Sequence, residues 1–275
     1  MQVISLLIGT VLLRPYVFIF FALYLLVASQ QIGWRRTILW TITGYLVAFA
    51  AEFSSIHGGF PFGDYYYIDT TRNQELWIAG VPFMDSLSFS FLTFTGYTCA
   101  WQFLAAFKGT KRQPDAWAYR MVRRSPWVLL LGASITTLMD LIIDPVALMG
   151  DRWFLGQIHG WPRGGDYFGV PWTNFAGWFL VTAVTIGINQ ALDAGLTRST
   201  GTDSNHRSRI PYMHLGGFAL FVFIVGFNLF MTAWLREWSL FFAGLPLAVA
   251  VLLCSLRILA SGRFLAPHLT GRATI

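Results

Sequence analysis

The sequence predicts an all-α integral membrane protein: a single polytopic domain over residues 1–275 with about seven transmembrane helices, the N-terminus outside and the C-terminus cytoplasmic. Three observations predict it. First, 55% of the residues are hydrophobic and only 12% are charged, where a soluble domain carries roughly 25% charged residues. Second, apolar runs of about 20 residues, the length that crosses ~30 Å of hydrocarbon, recur along the chain. Third, the basic residues segregate when alternate loops are assigned to alternate sides. Of 19 Lys and Arg, only Arg14, Arg72, Arg152, Arg163 and Arg236 fall on one side. Basic loops stay cytoplasmic, so that poorly basic side is the outside.

The elements follow in order. Val3 to Leu13 is apolar but is cut from the next run by Arg14-Pro15. Proline suits the first turn of a helix, so a helix is predicted over 15–30, with residues 3–13 as an interfacial lead-in or extension. Further spans are predicted at 37–56, 86–107, 126–149, 167–192, 212–235 and 238–260. The segment from Thr197 to Arg209, rich in Ser, Thr and Asp, reads as a cytoplasmic linker. The first residues lack the basic start and small-residue cleavage site of a signal peptide, so the N-terminus is expected to be retained. Cys99 and Cys254 lie in apolar segments and suit packing better than a disulfide framework. The net charge of +6 follows from topology, and no nucleic-acid partner is expected.

Two long loops share the outer side, 54–85 and 147–170, and they resemble each other. The first holds Gly59-Phe-Pro-Phe-Gly-Asp64-Tyr65-Tyr66-Tyr67 and Gly80-Val-Pro-Phe-Met-Asp85. The second holds Gly165-Asp166-Tyr167-Phe-Gly-Val-Pro171-Trp172-Thr-Asn174. Gly80-Val-Pro and Gly169-Val-Pro stand 89 residues apart, as do Asp85 and Asn174. An acid precedes each loop, Glu52 in one case and Asp140 in the other. The expectation is a pair of repeated helix-loop-helix hairpins of one orientation, facing each other across a shared cavity.

Acids inside bilayer spans cost a few kcal/mol or more and turn toward a bundle interior or a wet cavity. Glu52, Asp140 and Asp144 are such residues, and Asp64 lies nearby in the first loop. Asp140 and Asp144 are four apart, on one helix face, and in low dielectric both cannot easily be ionised. Asp144 precedes Pro145, which could end the helix there. Asp85 has an ordinary reading as a cap of the third helix. A buried protonated carboxyl beside aromatic faces is what is needed to protonate an isolated carbon-carbon double bond, because Trp, Tyr and Phe hold a carbocation by cation-π attraction. Tyr65, Tyr67, Trp172 and Trp178 are candidates for that lining, with His57 and Asn174 as polar substrate-binding neighbours. Each aromatic also has a plain reading as interfacial belt, and Asn174 one as an interhelical hydrogen bond. His159 and His214 carry less information. No metal site is expected.

Glu52, Gly59-Phe-Pro-Phe-Gly-Asp64-Tyr65, Gly80-Val-Pro82, Asp140-Leu-Ile-Ile-Asp144-Pro145 and the run from Tyr167 to Trp178 together resemble the CruF-type carotenoid biosynthesis proteins, from about Arg14 to Asn189. The resemblance implies an integral-membrane carotenoid 1,2-hydratase, a hydro-lyase that adds water to the terminal double bond of an acyclic carotenoid end group and leaves a tertiary alcohol. It implies a hydrophobic carotenoid substrate, a lipid bilayer, the cytoplasmic membrane of a prokaryote, and other carotenoid-pathway enzymes as partners; no cofactor is expected. Three readings compete. A carotenoid cyclase uses the same protonation but captures the cation internally. An intramembrane prenyltransferase would use Asp140 and Asp144 to hold magnesium and diphosphate, against which stand the lack of a second such motif and the scarcity of basic residues on that side. A transporter or carotenoid-binding protein would use the acids without chemistry. Lys108 and Lys111, the two lysines, lie in a loop, which excludes a retinal Schiff base in the last helix.

Overall fold

A computed structural model describes residues 2–107, 122–200 and 213–260. The basic loop at 108–121, most of the predicted 197–209 linker and the tail beyond 260 lie outside the described residues. Among these residues there are eight α-helices: α1 (Gln2–Leu13), α2 (Pro15–Ile32), α3 (Trp34–Gly58), α4 (Phe83–Phe107), α5 (Pro126–Leu148), α6 (Trp172–Thr200), α7 (Gly216–Trp234) and α8 (Trp238–Ala260). Six of them, α2, α3, α5, α6, α7 and α8, are long and apolar enough to cross a membrane. The chain is a helical membrane protein on that ground.

The predicted span at 86–107 forms α4, and it differs in kind from the other six. Ser86, Ser90, Thr93, Thr95 and Thr98 of α4 are all fully buried. These hydroxyls lower its apolarity, yet they cost little, because Thr93 and Thr95 donate to the carbonyls of Phe89 and Phe91 within the same helix, at 2.6 and 2.7 Å. The position of α4 explains the composition. It packs against α2, α3, α5 and α7, so its surroundings are protein rather than lipid. Small residues bring the backbones together there: Gly44 of α3 abuts Ser90, Gly96 of α4 abuts Thr136 and Gly132 of α5, and Gly217 of α7 abuts Thr98. Isoleucine, leucine and phenylalanine side chains such as Ile42, Leu46, Phe223 and Phe230 cover the outside, as lipid contact requires.

Local signals set the breaks. Pro15 occupies the first turn of α2, and Gly33 at φ 81 separates α2 from α3. Gly59 at φ 72 closes α3 in the left-handed conformation, its N–H donating to Ser55 O at 2.8 Å, a position glycine takes without a Cβ penalty. The helix predicted from 167 starts five residues later, at Trp172. Phe168 and Gly169 both have positive φ and Tyr167 bridges to Val170, so the chain turns here and Pro171 precedes the helix start. Residues 3–13 belong to a helix of their own, α1, set off from α2 at Arg14.

The two loops predicted to share a side do so, and they pair. Strand β1 (Tyr66–Tyr67) of the first loop runs antiparallel to β4 (His159–Gly160) of the second, with Tyr67 opposite His159 and Tyr66 opposite Gly160. A hairpin of β2 (Trp77–Ile78) and β3 (Val81–Pro82) leads into α4. Arg14, buried at the start of α2, clamps this end: its Nη2 meets Glu75 Oε1 at 3.0 Å in the first loop, and its Nη1 donates to Leu155 O in the second. At the opposite end of the bundle, Arg36 of α3 and Arg124 both pair with Asp193 of α6.

Candidate active site

Beneath the paired loops, four helices each bring one turn to a common point. Glu52 sits in the last turns of α3 and is 2% exposed; it accepts from Ser86 Oγ at the start of α4. Asp85 is the neighbouring residue in that first turn of α4. Its Oδ2 accepts from the Tyr67 hydroxyl at 2.6 Å, and Tyr67 in turn accepts from the Tyr65 hydroxyl at 3.1 Å. Tyr67 also bears on Glu52. One phenol thus lies between the two carboxyls of the first hairpin.

The second hairpin supplies the matching pair. Asp140 is fully buried and Asp144 is 8% exposed, one turn apart on α5. The helix runs on through Pro145 to Leu148, so Pro145 does not end it at Asp144; proline removes one donor but the neighbouring turns carry the helix. Asn174, in the first turn of α6, donates its amide to Asp140 Oδ2 at 2.9 Å and to Asp144 Oδ2 at 2.5 Å. One turn further, the indole N–H of Trp178 approaches Asp144 Oδ2 at 3.4 Å. Residues 140 and 144 on α5 therefore face 174 and 178 on α6, the meeting of two i, i+4 ridges. Asp140 Oδ1 is buried with no hydrogen-bond partner among the described residues.

Between the pairs stands His159, its Nε2 4.0 Å from Asp144 Oδ1. Aromatic rings close the apolar side. Phe89 stacks on Trp178 with centroids 4.1 Å apart and planes 11° from parallel. Phe62 meets both of them, and Tyr65 and Trp161 meet each other and the His159 ring. Burial, followed by the negative charges of Asp85 and Glu52, holds the Tyr67 hydroxyl well above its ordinary pKa. Burial likewise raises Tyr65, with Glu52 and Asp85 adding to it. Both phenols keep their protons across the physiological range and act here as donors. Among the described residues, no group of three or more His, Cys, Asp or Glu is arranged to hold a metal ion.

Of the residues singled out in the sequence, Glu52, Asp140, Asp144, Tyr65, Tyr67, Asn174 and Trp178 come together. Three do not. Asp64 is exposed and its carboxylate lies beside Gly59 of its own loop. His57 is exposed too; its Nδ1 sits 2.8 Å from Phe53 O and its ring against Phe53. Trp172 is 58% exposed and packs on Tyr167 and Phe175. Asp85, whose sequence reading is a helix cap, His159, to which the sequence gives little weight, and Ser86, which carries no sequence reading, join the site. The 89-residue spacing that pairs Asp85 with Asn174 carried a signal for Asp85, since the two hold corresponding places after the same turn. His159 had no such signal, because a strand register alone brings it in.

The model of a family described as "Carotenoid biosynthesis protein" matches residues 1–251 of this chain. Among curated proteins, bisanhydrobacterioruberin hydratase of Haloarcula japonica is 28% identical over 202 residues, covering 73% of this chain and 59% of that protein. The chain thus spans less than two thirds of the length of that relative. No solved structure matches.

Proposed function

Because the chain belongs to the carotenoid biosynthesis protein family, we propose that it is a carotenoid 1,2-hydratase acting on an acyclic end group by acid catalysis without a cofactor. The observation that carries this reading is the buried Asp140/Asp144 pair, bridged by the one neutral amide of Asn174 and joined through Asp144 to Trp178, whose ring stacks on Phe89. Two ionised carboxyls there would share one neutral amide with no cation beside Asp140 to offset their charge, whereas a protonated one offers an O–H to a carbon base. The name of the Haloarcula relative, a hydratase, supports the same class of reaction.

In this reading Asp140 gives its proton to C2 of the terminal double bond. The π pair forms the new C–H bond and a tertiary cation is left at C1. The Phe89, Trp178 and Phe62 rings face that charge, which cation-π attraction favours by ~0.5 to 2 kcal/mol per well-placed ring. Water supplies a lone pair to C1, the C–O bond forms, and the extra proton passes to the Glu52/Asp85 pair. One water is added and no redox partner is consumed. The tertiary alcohol leaves through the bilayer in which the substrate dissolves. We place the enzyme in the cytoplasmic membrane of a prokaryote, beside the other enzymes that build and modify its substrate.

The cyclase alternative shares the first step, but a second, polar pair of carboxyls with two phenols opposite the first favours capture by water over capture by a chain carbon. The test is expression in a host that accumulates an acyclic carotenoid such as lycopene. The expected product gains the mass of one water per end group. An isomer of unchanged mass would instead establish the cyclase reading, and an unchanged pigment would remove both. Asp140→Asn is expected to lower product formation by ~10²- to 10⁴-fold, the range general acids contribute, while the protein still inserts.

A further inference from the structure

Hydration leaves the site out of balance after each turnover: the donor pair has lost a proton and the acceptor pair holds one. A second turnover requires that proton to travel from the Glu52/Asp85 side to the Asp140/Asp144 side. The paired loops lie above the site and Glu52 and Asp140 are buried beneath them, so exchange of their protons with bulk water is slow unless a titratable group bridges the gap. Among the described residues, the imidazole of His159 is a titratable group placed in that gap. His159 stands opposite Tyr67 in the β1–β4 register, and Tyr67 is the phenol that bonds Asp85. On its other side His159 Nε2 is 4.0 Å from Asp144 Oδ1, and its ring meets Tyr65 edge-on at 6.2 Å. An imidazole accepts a proton at one nitrogen and releases one at the other, which suits it to a relay.

We infer that His159 is the proton-return residue of this site, moving the proton from the Tyr67-linked Glu52/Asp85 pair to Asp144 and so re-arming Asp140 between turnovers. The inference rests on the hydratase reading. It assigns His159 no part in the first proton transfer to substrate, so its loss acts on repeated turnover and leaves the first one standing. In the return step one N–H bond forms at the imidazole as one O–H bond breaks at the acceptor acid. The reverse then occurs toward Asp144, whose O–H bond breaks in turn as one forms on the adjoining Asp140 carboxyl, to which it is hydrogen-bonded, and no charge is gained or lost.

The test uses the full chain in lipid nanodiscs with lycopene, comparing a first turnover under excess enzyme with the steady state. His159→Gln is expected to keep the first-turnover rate within about 3-fold of wild type and to lose steady-state rate by ~10²-fold, the lower range of a proton-transfer contribution. His159→Gly is expected to regain steady-state rate with added imidazole and not with pyrrole, which has the size but not the basic nitrogen. Carbethoxylation of His159 in the already folded wild type, located by peptide mass, is expected to give the same split without asking a variant to fold. Equal loss of both phases, or no loss of either, would overturn the relay while wild-type hydration left the hydratase reading intact. A wild type that hydrates no acyclic carotenoid would overturn the hydratase reading and the relay with it.

Discussion

At position 174 a single amide nitrogen satisfies two carboxyls from the next helix, so replacing it separates bridging from bulk. Asn174→Leu keeps the volume and removes the donor, leaving two buried acids facing each other. The expected cost is ~1 to 3 kcal/mol of stability, read as a lower melting temperature in detergent, together with loss of turnover. Trp178 offers a cleaner division of roles, because its indole N–H reaches Asp144 at 3.4 Å while its ring stacks on Phe89. Trp178→Phe retains the ring and is expected to keep most activity. Trp178→Ala is expected to lose roughly 3- to 30-fold in turnover from the missing cation-π contribution, beyond any change in the amount of inserted protein. A Phe variant as weak as the Ala variant would show that the N–H, rather than the ring, is what matters.

At the scale of elements, two contacts hold the hairpins in register. The Arg14–Glu75 pair is buried on both sides and ties the start of α2 to both loops. Removing one partner leaves a buried charge without compensation, so Glu75→Ala is expected to destabilise by ~3 to 5 kcal/mol, whereas replacing both by apolar residues of similar volume is expected to recover much of that. A double-mutant melting series measures it. Between α4 and α5, a Cβ on Gly96 would meet Thr136 and the carbonyl of Gly132, while a Cβ on Gly226 meets nothing within 4 Å. Gly96→Ala is therefore expected to cost ~1 to 3 kcal/mol, and Gly226→Ala to be tolerated. This contrast tests whether α4 is held against α5 by backbone approach. The strand pairing of the two loops follows from the same closeness, since loops on hairpins this near can exchange backbone hydrogen bonds.

For the whole molecule, the distribution of charge bears on orientation. The loops over the acid cluster carry few basic residues and the opposite end carries Arg36 and Arg124, so the carboxyl site is expected on the outer side and the C-terminus in the cytoplasm. Alkaline phosphatase, active only outside, is expected to be active when inserted after Arg163 and silent when fused to the C-terminus, where a fluorescent protein is expected to glow. The opposite pattern would invert the topology.

Much of this architecture was legible in the chain, for reasons that differ between residues. Apolar runs mark lipid-facing helices because the bilayer imposes length and apolarity on them directly, and Asp140 and Asp144 stand out because an acid is costly there. The repeated Gly-Val-Pro turn aligned Asp85 with Asn174, although the two now differ in chemistry. Asp64, His57 and Trp172 looked equivalent to their neighbours because a loop sequence does not say which way its side chains point. By itself, then, the sequence determined that the chain is helical and membrane-embedded, that Glu52, Asp140 and Asp144 are buried, and that two hairpins share one side. Only the tertiary structure decided that α4 is enclosed by protein, that Tyr67 and Asn174 each bridge a carboxyl pair, and that His159 lies between the pairs. Burial of an acid is written in its own segment's hydropathy, whereas a partner dozens of residues away is selected by helix packing and strand register, which no local pattern records.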